Sequence, residues 1–158
     1  MTVFVDTTIW ASGIDSSDAL HEDGSSVMNA LATGELSSAV TTDYVLDETL
    51  TLLKRRGGND SSNSQQARSI VEAVRRIASS PAVTVLYVDR ELFEAALSTY
   101  RKYGRLSFTD AVTLTVMQRR KIKEIFSHDS DFDLKGIIRK ERPQSDRTFL
   151  HAAGSVLR

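Results

Sequence analysis

Residues 106–129 read LSFTDAVTLTVMQRRKIKEIFSHD, and their order decides the fold. Ser107 and Asp110 stand three apart ahead of an apolar run, the sequence of a capping box, which predicts a helix reaching Met117. Glu124 to Ser127 then reads as a short strand running straight into His128 and Asp129. A capped helix followed at once by a strand that stops on an acid is half of an α/β unit.

The same alternation continues on both sides. Upstream, Val83–Val88 is the clearest strand, Arg90–Tyr103 is helical up to Gly104, and Pro81 ends a helical pattern over Ala67–Ala78. Downstream, Gly136–Arg139 predicts a last strand before Pro143. At the amino end, Thr2–Val5 is β-branched and aromatic and stops on Asp6. Leu20–Leu36 has helical spacing closed near Gly34, and Leu36–Val40 is a second β-like stretch. Thr41 and Thr42 are candidate caps for a helix whose apolar face is Tyr44, Val45, Leu46, Thr49, Leu50 and Leu53. That helix ends in Lys54, Arg55 and Arg56, followed by Gly57 and Gly58. The polar stretch Asn59–Ser64 reads as a mobile loop, and residues 143–158 as a tail without a strong pattern. Strands that alternate with helices, with no internal repeat, predict an α/β fold with a central, largely parallel sheet. In such sheets ligands gather beyond the carboxyl ends of the strands, where Asp6 and Asp129 fall.

Composition bounds the function. At 158 residues, with 41% hydrophobic and 26% charged side chains, the chain fits one soluble folded domain, not a disordered or membrane-spanning one. No cysteine is present, which excludes thiol nucleophiles, cysteine zinc ligands and disulfides and agrees with a cytoplasmic location. The amino terminus is a poor secretory signal, since it lacks a basic cluster and meets Asp6 early. A net charge of −1 supplies no overall basic field, so any attraction to nucleic acid is local. The sequence contains no G-x-S-x-G elbow, P-loop or dinucleotide fingerprint, and His21, His128 and His151 are scattered singly. A phosphoacceptor receiver would want two acids close together after the first strand, whereas Asp6 is followed by Thr7, Thr8 and Ile9.

The remaining chemistry is acidic. Asp6 and Asp129 follow strands, Asp110 opens a helix, and Glu48 sits beside Asp47 at the border of an apolar helix face. Carboxylates gathered at one sheet end repel unless a cation compensates them. A set of Asp and Glu without His or Cys selects magnesium or manganese over zinc. Each acid also has an ordinary reading: a turn for Asp6, the capping box for Asp110, a solvated loop for Asp129. Periodicity does not choose between Asp47 and Glu48.

The ordered set VFVDTT (3–8), YVLDETLTLLKRR (44–56), LSFTDAVTLTVMQRR (106–120) and IFSHDSDFDL (125–134) closely resembles the PIN-domain ribonucleases, especially the VapC-type toxins of toxin/antitoxin pairs. The resemblance implies a PIN-like α/β/α sandwich over residues 1–142, with the role of the tail 143–158 left open. It implies that Asp6, Glu48, Asp110 and Asp129 form an acidic Mg2+ or Mn2+ site with Asp131 as a secondary member, and it prefers Glu48 to Asp47. Thr7 and Ser127 match supporting hydroxyl positions. The resemblance further implies RNA as substrate, cleavage leaving a 3′-hydroxyl and a 5′-phosphate, a homodimer and, for a toxin, an antitoxin that covers the site. Two other readings stay open: a PIN nuclease of RNA processing or turnover without an antitoxin, and a non-catalytic RNA-binding module. Three basic clusters are candidates for guiding RNA: Lys54–Arg56, Arg101 with Lys102 and Arg105, and Arg119–Lys123.

Overall fold

The computed structural model describes residues 2–57 and 64–144. Five strands, β1 (Thr2–Val5), β2 (Ser38–Thr42), β3 (Val83–Leu86), β4 (Glu124–Phe126) and β5 (Ile138–Lys140), form one sheet in the order β3-β2-β1-β4-β5. Every pairing is parallel, with Phe4 opposite Val40 on one side and Ile125 on the other. Parallel strands need crossovers, supplied by α1 (Thr7–Ile14), α2 (His21–Thr33), α3 (Asp43–Arg56), α4 (Ser64–Ser79), α5 (Arg90–Lys102) and α6 (Phe108–Arg120). The first two crossovers step outward to β2 and β3, and the third returns past β1 to β4. Right-handed connections therefore carry α5 and α6 to the opposite face, giving an α/β/α sandwich whose strand order reverses between β1 and β4.

The central strand is buried throughout its apolar length: Val3, Phe4 and Val5 pack among Ile9, Trp10, Val27, Ile125 and Phe126. Two polar side chains in this core pair with each other. Trp10 Nε1 donates to Thr41 Oγ1 at 3.2 Å, and that hydroxyl donates to the Val5 carbonyl at 3.1 Å. Thr41 is thus a strand residue that holds the end of β1, while Thr42 alone caps α3, its hydroxyl accepting from Val45 N at 3.2 Å.

Several boundaries differ from those read in the sequence. Helix α1 is not foreshadowed by periodicity, because TTIWASGI is short and largely buried, leaving no polar stripe to reveal a period. Helix α2 stops at Thr33 because Gly34 takes φ +79°, and β2 starts two residues after Leu36 and runs through Thr42. Strand β3 ends at Leu86 because the Val88 N–H turns to Asp43 Oδ1, 3.0 Å away, and not to a neighbouring strand. Gly136, at φ +88°, is the turn before β5 and not part of it. The loop expected at Asn59–Ser64 lies outside the described residues except for Ser64, which opens α4; the tail beyond Gln144 lies outside them too. No helix among the described residues is long and apolar enough to cross a membrane.

Candidate active site

The strand-order reversal brings the end of β1 beside the end of β4, and the acids collect there. Asp6 caps α1 and is almost wholly buried. Its Oδ2 accepts from Ser127 Oγ at 2.8 Å and from Thr8 Oγ1 at 3.0 Å. Burial pushes the Asp6 carboxyl above its ordinary range, and these hydrogen bonds only partly oppose the rise.

Asp110 enters from the first turn of α6, fixed by the capping box: Asp110 N donates to Ser107 Oγ at 3.1 Å, and Ser107 N donates to Asp110 Oδ2 at 3.0 Å. The cap that explains Asp110 structurally also aims it at the site, so its two readings are compatible. Burial first, then the negative charges of Asp6 and Asp129, raise its carboxyl to about 6.

Asp129 and Asp131 belong to the turn after β4. Asp129 N donates to Ser127 Oγ at 3.0 Å, and Asp129 Oδ1 accepts from Asp131 N at 2.8 Å, capping the short 3-10 turn Ser130–Phe132. One carboxylate oxygen from each of Asp110, Asp129 and Asp131 lies within 4.8 Å of the others, the spacing of ligands around a single ion. Glu48 stands apart from this trio, held through Thr7, whose hydroxyl donates to Glu48 Oε2 at 2.9 Å. Asp47, its neighbour, is exposed.

Of the residues singled out in the sequence, Asp110, Asp129 and Asp131 therefore share one cluster. Asp6 and Ser127 adjoin it by charge and hydrogen bond, and Glu48 is joined to the end of β1 by Thr7. Thr8 was not anticipated, yet its hydroxyl bonds Asp6 and also accepts from His128 N at 2.9 Å, tying the two strand ends together. The run of two threonines after Asp6 was the available signal, but it could not say which hydroxyl turns inward.

The donor set suits a hard divalent cation: three carboxylates in reach of one point, no sulfur or imidazole among them, and in Asp110 an acid whose proton is held by burial and, to a lesser degree, by neighbouring negative charge. Basic residues are placed unevenly. Arg105 lies at the site, its Nη2 donating to the Asp131 carbonyl at 3.0 Å and its Nη1 lying 3.6 Å from Asp131 Oδ1. Helices α3 and α6 start near the acids and run away from them, so Lys54–Arg56 and Arg119–Lys121 stand roughly 10–15 Å along the axes from Glu48 and Asp110. Arg56 instead pairs with Asp18, and Arg119 with Glu91.

A PIN-domain family model matches residues 3–137 of this chain, a span that contains all of these acids. The chain belongs to the PIN-domain family. Among relatives of this PIN chain is the 23S rRNA-specific endonuclease VapC20 of Mycobacterium tuberculosis, 31% identical over 144 residues that cover 90% of this chain and 99% of that protein. A VapC ribonuclease of Archaeoglobus fulgidus is 28% identical over 161 aligned positions, covering 100% of this chain and 96% of the relative. The crystal structure of M. tuberculosis VapC20, described as a sarcin-ricin loop cleaving toxin, superposes with a TM-score of 0.69 at 30% identity, covering 86% of this chain and 96% of that one. A Pyrobaculum aerophilum protein shares the fold at a TM-score of 0.56 and 18% identity, covering 88% of this chain and 92% of its own.

Proposed function

We propose that this PIN domain is a divalent-metal-dependent endoribonuclease, the toxin of a toxin/antitoxin pair, acting on structured RNA in the cytoplasm. The observation that carries this reading is the convergence of Asp110, Asp129 and Asp131 within 4.8 Å at the β1/β4 switch point. Residues 1–142 are the catalytic unit in this reading, with no role assigned to 143–158.

Asp6, Asp110 and Asp129 hold Mg2+ or Mn2+, directly or through water, with Asp131 as a secondary member. When bound, such a cation neutralises charge on the phosphate and lowers the pKa of a bound water. Ser127 and Thr8 fix the Asp6 carboxylate through their hydroxyl donors. Thr7 fixes the Glu48 carboxylate, which orients the attacking water and takes its proton. Attack at phosphorus breaks the bond to O3′, leaving a 3′-hydroxyl and a 5′-phosphate. Arg105, beside Asp131, is placed to draw an RNA phosphate towards the acids.

The VapC20 relative makes a large-subunit rRNA loop the first substrate to test. A homodimer is supported by the outward face of α5, where Phe93, Leu97 and Tyr100 are exposed at helical spacing beside Phe108. An antitoxin partner follows from the toxin reading.

Incubation of the protein with a structured 23S rRNA fragment, with and without Mg2+, tests the activity. Cleavage that needs Mg2+ and is lost in Asp110→Asn is expected. Full activity of a folded Asp110→Asn protein contradicts the site assignment.

A further inference from the structure

Asp6, Asp23 and Asp110 are the buried acids among the described residues, and Asp23 lies outside the cluster of carboxylates. It sits in the first turn of α2, at 6% exposure, where α2 meets α1. The contact is tight at the next residue: a Cβ on Gly24 would lie 2.3 Å from the Gly13 nitrogen and from Ser12 Oγ, so only glycine lets the two helices approach this closely. The backbone that carries Asp23 is therefore held firmly in place.

Each Asp23 oxygen faces one nitrogen-bearing side chain. Oδ1 forms an ion pair with Arg142, whose Nε lies 2.9 Å away, which ties the segment after β5 to α2. Oδ2 lies 3.5 Å from His128 Nε2, a buried nitrogen that makes no hydrogen bond of good geometry to any described residue. An imidazole nitrogen buried this way needs an acceptor or donor, and the Asp23 carboxylate is the group placed to serve. His128 in turn sits between Ser127 and Asp129, with its N–H on Thr8 Oγ1 at 2.9 Å. A chain of contacts thus runs from the α1/α2 junction through Asp23 and His128 to the backbone that presents both Ser127 and Asp129.

We propose that Asp23 is a positioning residue for the cation site: by holding the His128 imidazole it fixes the 127–129 backbone so that Asp129 faces Asp110. The inference rests on the reading of the acids as a metal site. A residue of this kind acts on metal affinity without touching the metal, as outer-shell partners do in other metalloproteins, where their loss typically costs 10- to 100-fold. Arg142 shares the same carboxylate but not the imidazole, so it serves the fold and not the site.

Calorimetric titration of the full chain with Mn2+, paired with melting temperatures in EDTA, tests this. Asp23→Asn is expected to weaken Mn2+ binding about tenfold or more. His128→Phe, which keeps a ring but removes the nitrogen, is expected to do the same and to stand in if Asp23→Asn does not fold. The double variant is expected to bind no more weakly than either single one, because both break one contact. Arg142→Ala is expected to leave Mn2+ affinity within about twofold of the parent while lowering the metal-free melting temperature. Parental Mn2+ affinity in a folded Asp23→Asn or His128→Phe protein, whatever its melting temperature, overturns the inference and leaves the site reading standing. Absence of Mn2+ binding by the parent protein overturns the site reading and the inference with it.

Discussion

The Ser127 hydroxyl donates to Asp6 Oδ2 at 2.8 Å, joining the residue after β4 to the residue after β1. The two are 121 positions apart in sequence, and the bond closes the switch point at which the acids meet. Ser127 Oγ also accepts from Asp129 N at 3.0 Å, so one hydroxyl orders two of the acids.

Ser127→Ala removes a donor from a buried carboxylate and an acceptor from the Asp129 N–H. Loss of hydrogen bonds to such groups costs about 1.5–3 kcal/mol. The bond lowers the Asp6 pKa, so its loss matters most where Asp6 is ionised. Urea melts in EDTA are expected to show the deficit at pH 8 and a smaller one as Asp6 protonates on acidification.

Asp110 makes the metal-free protein less stable as pH rises. Its folded pKa of about 6 lies above the ordinary 3.8, so the folded state holds the proton more tightly between those values. Its contribution is most favourable below pH 3.8 and is lost by about pH 6, amounting to about 1–2 kcal/mol once solvent screening is allowed for. Asp110→Asn is expected to melt higher than the parent at pH 7.5 in EDTA and to flatten this slope. Cation affinity is expected to fall as pH drops through about 6, where Asp110 takes up its proton.

In the proposed site a divalent cation compensates the charge of the clustered carboxylates. Mg2+ or Mn2+ at one hundred times its Kd is expected to stabilise the parent by about 2.7 kcal/mol, read as a rise in Tm that EDTA reverses. Asp110→Asn and Asp129→Asn are expected to lose most of that rise.

Arg105 is the cation from the three basic clusters found against the acids, bonded to the Asp131 carbonyl. Arg105→Ala is expected to weaken RNA binding and to reduce the slope of log K against log salt by about 1. Arg119→Ala, paired with Glu91 at the far end of α6, is expected to leave the slope unchanged.

The fold was legible because strands at the centre of the sheet are short, mostly apolar runs that stop on a polar residue, as Thr2–Val5 into Asp6 and Glu124–Phe126 into Ser127 both show. Asp110 was legible because its capping box is local in sequence. Helix α1 was not, since a helix buried on nearly every side carries no amphipathic period. The choice of Glu48 over Asp47 came from resemblance, and the physical difference is the Thr7 hydroxyl, which only the folded chain brings to Glu48. Asp23 gave no signal at all, because its partners His128 and Arg142 lie more than one hundred positions away and no spacing rule links them.

Anomalous diffraction from crystals soaked in Mn2+ tests the central claim most directly. The account predicts a manganese peak between the carboxylates of Asp110 and Asp129, within ligand reach of Asp6 or its bound water. Well-ordered crystals with those three side chains in place and no manganese among them, at millimolar Mn2+ and neutral pH, would contradict it.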